Sequence, residues 1–286
     1  MSEPDSLSDR QRREIEYHRK YAAERARLAM HPPSLDVATA PARRWWNAYW
    51  STYSLLRQLR PRPRRALVVG CGFGDDAIRL AALAGEVCAF DLSPESLAIA
   101  RSRWGLLPDL SPVDFREMPS ERLDYPEDSF DVILAVDILH HVNIPRTLAE
   151  LNRVAADGCL VLCDEVYTHS SLERLRRSAL VERGLYPRLL SWVYGGDRPY
   201  ITPDERKLNE RDVAHLRMWL EDFRARYYNL VVGRLFPDRF DLLARVDRMA
   251  LATLGPLGRF CGARVVMWGL VRKASQRRVD ERSLQD

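Results

Sequence analysis

The chain has 286 residues, 46% of them hydrophobic and 29% charged. That balance fits one large α/β domain, or a core domain with an added cap, and excludes wholesale disorder. Forty-four basic against 40 acidic side chains leave a net charge of +4, too small to point to a nucleic-acid partner. No apolar run approaches the ~20 residues of a membrane span, and none follows the N-terminus as a secretory signal would. A cytoplasmic location is the expectation. The five cysteines, Cys71, Cys88, Cys159, Cys163 and Cys261, form no CxxC pair; core thiols are expected, with no metal set.

In chain order, residues 10–30 have helical composition, and His31-Pro32-Pro33 breaks that helix. A second helical stretch, 42–59, is dense in aromatics and runs into the stiff Arg60-Pro61-Arg62-Pro63 linker. From Ala66 the pattern changes. Ala66-Leu67-Val68-Val69 reads as a buried parallel strand. Helix 76–84, strand 87–90, helix 94–104 capped by Ser93, a weak strand 114–116, strand 130–136, helix 145–155 and strand 159–165 follow. After Tyr167 the rhythm breaks. Residues 168–224 read as mostly helical with a Gly195–Pro199 turn, and 227–235 and 263–271 read as two last strands around a helix at 238–254. Strand and helix alternate at short spacing, so a mostly parallel sheet of seven strands with helices on both faces is predicted. The predicted organisation is an N-terminal helical cap (1–60), a Rossmann-like core (61–273) with a helical insertion at 168–224 after strand five, and a flexible tail (274–286).

The loop Gly70-Cys71-Gly72-Phe73-Gly74-Asp75 lies between a strand and a helix, where glycines let the backbone turn and approach a ligand. Asp91 ends the next strand about twenty residues on, where a carboxylate accepts both hydroxyls of an adenosine ribose. A dinucleotide loop wants its third glycine at position 75, and an aspartate there repels a pyrophosphate. Adenosine without phosphates suits this loop better, which makes S-adenosylmethionine the candidate.

These motifs resemble those of the class I S-adenosylmethionine-dependent methyltransferases. Val69–Gly74 is similar to their motif I, and Phe90-Asp91-Leu92-Ser93 to their ribose-binding turn. Leu123–Asp131 resembles their "LPFPDxSFD" segment. Val136-Asp137-Ile138-Leu139-His140-His141-Val142 resembles the post-strand "VLHHV" of the ubiquinone/menaquinone-biosynthesis-like (type 11) branch, and Leu151-Asn152-Arg153-Val154 with Asp157-Gly158 resembles "LxRVLKPGG". The resemblance covers about residues 65–166. It implies a cofactor shell of Gly70, Cys71, Gly72, Gly74, Asp91, Leu92, Val136 and Asp137. Met118, Pro119 and Ser120 stand at the adenine position, and Tyr21 comes from an earlier helix that folds over the cofactor in similar enzymes. The sequence departs at Val68, where the family carries an acid; Asp75 or Asp137 is expected to compensate.

Methyl transfer to a hydroxyl needs a positioned nucleophile and a base, and His is the usual base near neutral pH. His141 is the first candidate, then His140, with Glu165 at the end of the neighbouring strand as an orienting carboxylate or an amine ligand. The expected activity is methylation of oxygen or nitrogen on an aromatic, polyketide-like or lipid-like small molecule. Also open are a non-methylating or regulatory S-adenosylmethionine binder, a tRNA or protein methyltransferase, and an NAD-linked oxidoreductase. The aromatic stripe Trp45, Trp46, Tyr49, Trp50 and Tyr53 is read as core packing first and as an acceptor cap second. Residues 234–258 carry Arg239, Arg245 and Arg248 at amphipathic spacing, which allows at most peripheral membrane contact. A monomer or homodimer is expected.

Overall fold

The computed structural model describes residues 9–40, 44–176, 178, 206–232, 236 and 240–273. Seven strands are present among them: β1 Arg65–Val69, β2 Glu86–Asp91, β3 Val113–Glu117, β4 Phe130–Val136, β5 Ala155–Val166, β6 Glu221–Tyr228 and β7 Arg264–Leu270. They form one sheet in the order β3-β2-β1-β4-β5-β7-β6. Only β7 runs against its neighbours. This is the Rossmann-like, mostly parallel architecture that the alternation predicts.

The strands are apolar on both sides because both sides are covered. Leu67 and Val69 of β1 face one core, with Phe90, Ile133 and Val161. Ala66 and Val68 face the other, with Ala89, Leu134 and Leu162. The first core is closed by α6 (Ile144–Val154) and α8 (Glu210–Trp219), the second by α3 (Ala48–Arg57), α4 (Asp75–Ala81) and α5 (Pro94–Trp104). Caps set these helix starts, the first of them as the sequence predicts. The Ser93 hydroxyl accepts from the Ser96 amide with Pro94 in the first turn, and Asn143 does the same for Arg146.

The N-terminal segment is more broken than predicted. Helix α1 covers Asp9–Glu24, a 3₁₀ turn covers Ala26–Met30, and α2 is the single turn Asp36–Thr39. Helix α3 begins at Ala48, where Asn47 caps it. Of the aromatic stripe, Trp46 and Tyr53 are buried, Tyr49 and Trp50 partly so, and Trp45 is exposed.

The sixth strand lies at 221–228 rather than 227–235. Its residues alternate between exposed and half-buried, as an edge strand with one wet face should; residues 221–224 fall within the stretch predicted to be helical. Of the predicted insertion, the described residues contain α7 (Ser170–Arg176), α8 and the start of β6. The Gly195–Pro199 turn and the tail 274–286 lie outside the described residues. The last helix, α9, covers Asp241–Leu254.

Gly70 is a required glycine. Its φ is +62°, and a Cβ there would lie 2.4 Å from Ile138 Cδ1. Gly70→Ala is expected to lose about 2–5 kcal/mol of stability, from the left-handed backbone and the forced packing together. Chemical denaturation checks this, and Ile138→Ala added to Gly70→Ala should recover the packing part alone.

Candidate functional site

In strand order, β1 and β4 are the neighbours at which the winding reverses, and the crevice beyond their C-terminal ends is where open α/β sheets bind ligands. The glycine loop leaves β1 there. It is tied by the Cys71 amide donating to Phe90 O at 2.8 Å and the Gly74 amide to Cys71 O at 2.8 Å. Asp91 ends β2 beside it. One of its carboxylate oxygens accepts from the Gly72 amide at 2.8 Å and the other from the Ser93 amide at 2.9 Å. The carboxylate is thereby fixed, and each oxygen keeps a lone pair. Gly72, at φ +49°, faces open space: a Cβ there would meet nothing within 4 Å.

Tyr21 of α1 stacks on Phe73 of the loop, ring centroids 5.6 Å apart. Arg103 of α5 secures this arrangement. Its buried guanidinium donates to His31 O (3.0 Å), Phe73 O (2.8 Å) and Asp75 Oδ2 (2.7 Å). Asp75 therefore faces arginine. The Cys71 thiol is pushed well above its ordinary range by burial and by the Asp91 charge, so it is no nucleophile.

Sequence reasoning passed over Asp76. This carboxylate accepts from Tyr49 Oη and from Tyr53 Oη (2.7 Å), while Arg79 donates to Tyr49 Oη at 2.7 Å. Burial raises the Asp76 pKa, and the two tyrosine hydrogen bonds oppose that rise. Part of the aromatic stripe thus holds a buried acid at the start of α4. The only signal for it in the sequence was the pairing of an acidic first turn with tyrosines at helical spacing.

Leu92 is half-buried beside Asp91, and Val136 is partly buried at the end of β4. Met118 and Pro119, after β3, border a hollow of about 510 Å³ whose walls come from residues 116–124 alone, without the glycine loop. Ser120 turns its hydroxyl inward to Thr147 Oγ1 at 2.8 Å.

The turn after β4 brings the three catalytic candidates together. Glu165 is fully buried. Its Oε1 accepts from the Ile138 and Leu139 amides at 2.9 and 2.7 Å, and its Oε2 meets His140 Nδ1 at 2.8 Å. His140 is buried, whereas His141 is partly exposed, with its ring 4.1 Å from that of His140. Glu165 therefore organises the turn, and His141 stands at its open side.

Asp137, at φ +50°, forms a two-pronged ion pair with Arg264 of β7 at 3.0–3.2 Å. Arg264 also donates from Nε (3.0 Å) and Nη2 (2.8 Å) to Asp164 Oδ1. Asp164 is fully buried, and its Oδ2 has no partner among the described residues. Burial raises the Asp164 pKa to about 6 against the opposing pull of Arg264. Ligand-type atoms of Asp137, His140 and Glu165 lie within 4.8 Å of one another. Protein donors already engage both carboxylates, so this cluster is explained without a cation.

A methyltransferase-domain family model matches residues 67–163. A ubiquinone biosynthesis O-methyltransferase of Xanthomonas axonopodis pv. citri is 32% identical over 130 residues, covering 41% of this chain and 54% of that protein. A ubiquinone/menaquinone biosynthesis C-methyltransferase of Methylobacterium nodulans is 34% identical over 148 residues, covering 50% and 56%. The chain spans a little over half the length of these curated relatives. The solved structure of the cyclase SpnF matches 93% of this chain and 98% of its own at TM-score 0.53 and 20% identity, a likeness of fold alone. Over residues 67–163 the chain matches the methyltransferase-domain family model, and across this stretch it is similar to methyltransferases of ubiquinone and menaquinone biosynthesis.

Proposed function

We propose that the protein is an S-adenosylmethionine-dependent methyltransferase acting on oxygen or nitrogen of a small molecule of aromatic, polyketide-like or lipid-like character. The observation that carries this reading is the open Gly72 backbone beside the fixed Asp91 carboxylate, within a domain of this family. The residues fit adenosine without phosphates. The lone pairs left on Asp91 suit a ribose diol, and Arg103 turns the Asp75 carboxylate to itself. When bound, the cofactor supplies a methyl group on a sulfonium, ready for in-line displacement. Leu92 and Met118 would pack on the adenine, and Tyr21, stacked on Phe73, would close the loop from the N-terminal side. His141 takes the proton from an acceptor hydroxyl, and Glu165 and His140 are positioning residues that hold its turn. The reading includes a cytoplasmic location, supported by five unpaired cysteines of which four are buried. Among the described residues no helix is long and apolar enough to cross a membrane. A monomer or homodimer belongs to the same reading.

Calorimetry is expected to show micromolar-range binding of S-adenosylmethionine and of its demethylated product. Gly72→Arg should abolish binding at a cost of about 1–2 kcal/mol of stability from the left-handed backbone, with no added clash because the side chain enters open space. With methyl-labelled cofactor and an extract of the source cells, label should appear in low-mass compounds. Absence of cofactor binding at millimolar concentration overturns the reading, as does label found only in RNA or protein. Thermal protection by NAD instead would favour an oxidoreductase.

A further inference from the structure

One apolar surface lies outside the candidate site. Helix α9 and the 3₁₀ segment after it (Gly255–Phe260) carry an unusual run of exposed apolar side chains: Leu242 at 77%, Val246 at 55%, Met249 at 59% and Leu257 at 60%, with Phe240, Leu254 and Phe260 less so. Leu242, Val246 and Met249 follow one another at helical spacing (i, i+4, i+7) and form a single stripe. The buried stripe, Ala244, Asp247 and Leu251, lies on the opposite side of the helix. The rotation of α9 is fixed. The Asp247 carboxylate accepts from the backbone amides of Leu230 (2.8 Å), Val231 (2.6 Å) and Val232 (3.3 Å), and Ala244 packs with Trp46 and Val232. The apolar stripe is held outward, where a helix of a globular protein normally carries charge.

Arginines outnumber the acids in this segment. Between residues 240 and 260 the only acids are Asp241 and Asp247. Asp241 pairs with Arg44 at 3.4 Å, and Asp247 is buried. Arg245, Arg248 and Arg259 lie over the rings of Trp46, Tyr228 and Phe260, at 4.3, 4.8 and 4.8 Å from the centroids. Guanidinium groups flanking an apolar stripe, with the half-exposed Trp45 next to Trp46, are the composition of an interfacial helix. A second copy of the chain docked face to face would set these arginines against one another, whereas anionic headgroups neutralise them.

We infer that the outer face of α9 and residues 255–260 dock on an anionic membrane surface. The stripe enters the acyl boundary, and Arg245 and Arg259 lie among the headgroups. This surface adjoins the end of the sheet that bears Arg264, because Arg248 covers Tyr228 and Tyr228 pairs with Arg264 in the sheet. The inference does not depend on the methyltransfer reading and is tested without turnover.

The test is co-sedimentation of the full chain with vesicles of phosphatidylcholine alone and of phosphatidylcholine mixed with phosphatidylglycerol. Binding is expected on the mixed vesicles, with weaker binding on the neutral ones and release by high salt. Val246→Asp with Met249→Asp should lower binding at least ten-fold, at an unchanged melting temperature because both positions are exposed. Leu257→Asp, outside the helix, gives an independent loss should the double variant unfold. Arg245→Gln and Arg259→Gln should each cost about five-fold on anionic vesicles only. The inference is overturned if the wild-type protein stays in the supernatant with phosphatidylglycerol present, or if the aspartate variants bind as it does. Light scattering that shows a wild-type dimer dissolved by the same substitutions overturns it too, and assigns the face to a second copy.

Discussion

Arg264→Met should cost ~3–5 kcal/mol of folding stability at neutral pH, because it removes the cation that pairs with both Asp137 and Asp164. Methionine nearly fills the same volume, so the loss reports charge rather than a cavity. Asp164 Oδ1 would lose both of its donors, and Oδ2 has none among the described residues to make good the deficit. The pH dependence has a definite sign. The folded-state pKa of Asp164 is raised from 3.8 to about 6, chiefly by burial. The native state therefore holds a proton that the unfolded chain releases between those values, and this group's contribution to stability falls as pH rises through that window. Without Arg264 the carboxyl is protonated at still higher pH. The deficit of the variant should then shrink as pH falls from about 7.5 to about 5.5. Urea denaturation at both values measures this, and adding Asp164→Asn to Arg264→Met should restore the larger part of the loss. A deficit equal at both pH values would show that Arg264 acts by packing alone.

His141→Ala should lower methyl transfer to a hydroxyl acceptor by ~10²–10⁴-fold, the usual cost of removing a general base. The affinity for the demethylated cofactor should stay within about two-fold, on the proposed division between the glycine loop and the turn after β4. His141 is the partly exposed member of its pair, while His140 is buried on Glu165. For this reason His140→Ala should act mainly through stability, because it leaves a buried carboxylate oxygen unpartnered. Glu165→Gln should move the pH profile of turnover without abolishing it, since the amide oxygen can still accept from Ile138 and Leu139 while the charge facing His140 is gone. Label transfer from methyl-labelled cofactor reads all three. A parallel loss of cofactor affinity in His141→Ala would place that residue in the cofactor shell instead. Undiminished turnover would leave the reaction to positioning, as for an amine acceptor already neutral at working pH.

Much of the core was legible from the sequence because its signals are local. A run of four apolar residues followed by Gly70-Cys71-Gly72, and the cap at Ser93 just after the acid that ends the next strand, each act within a few residues. They mark the strands, the glycine loop and the start of α5 without reference to distant parts of the chain. The sequence of β6 misled for the same reason. An edge strand buries only one side, and its charged alternate residues carry no signal that separates them from a helix end.

The sequence by itself determined the sheet alternation, the loop at the end of β1, and a carboxylate at the end of β2 beside it. Only the tertiary structure decided how the acids would be used. Arg264 lies 127 residues from Asp137 and 100 from Asp164, and the antiparallel register of β7 on β5 is what brings its guanidinium to both. Asp76 acquired its tyrosines from α3, 23 and 27 residues earlier, and Glu165 acquired the amides of the turn after β4 through the parallel pairing of β4 and β5. In each case the partner is set by packing between elements, where a buried charge must find a donor or lose its place; spacing along the chain holds no record of that choice.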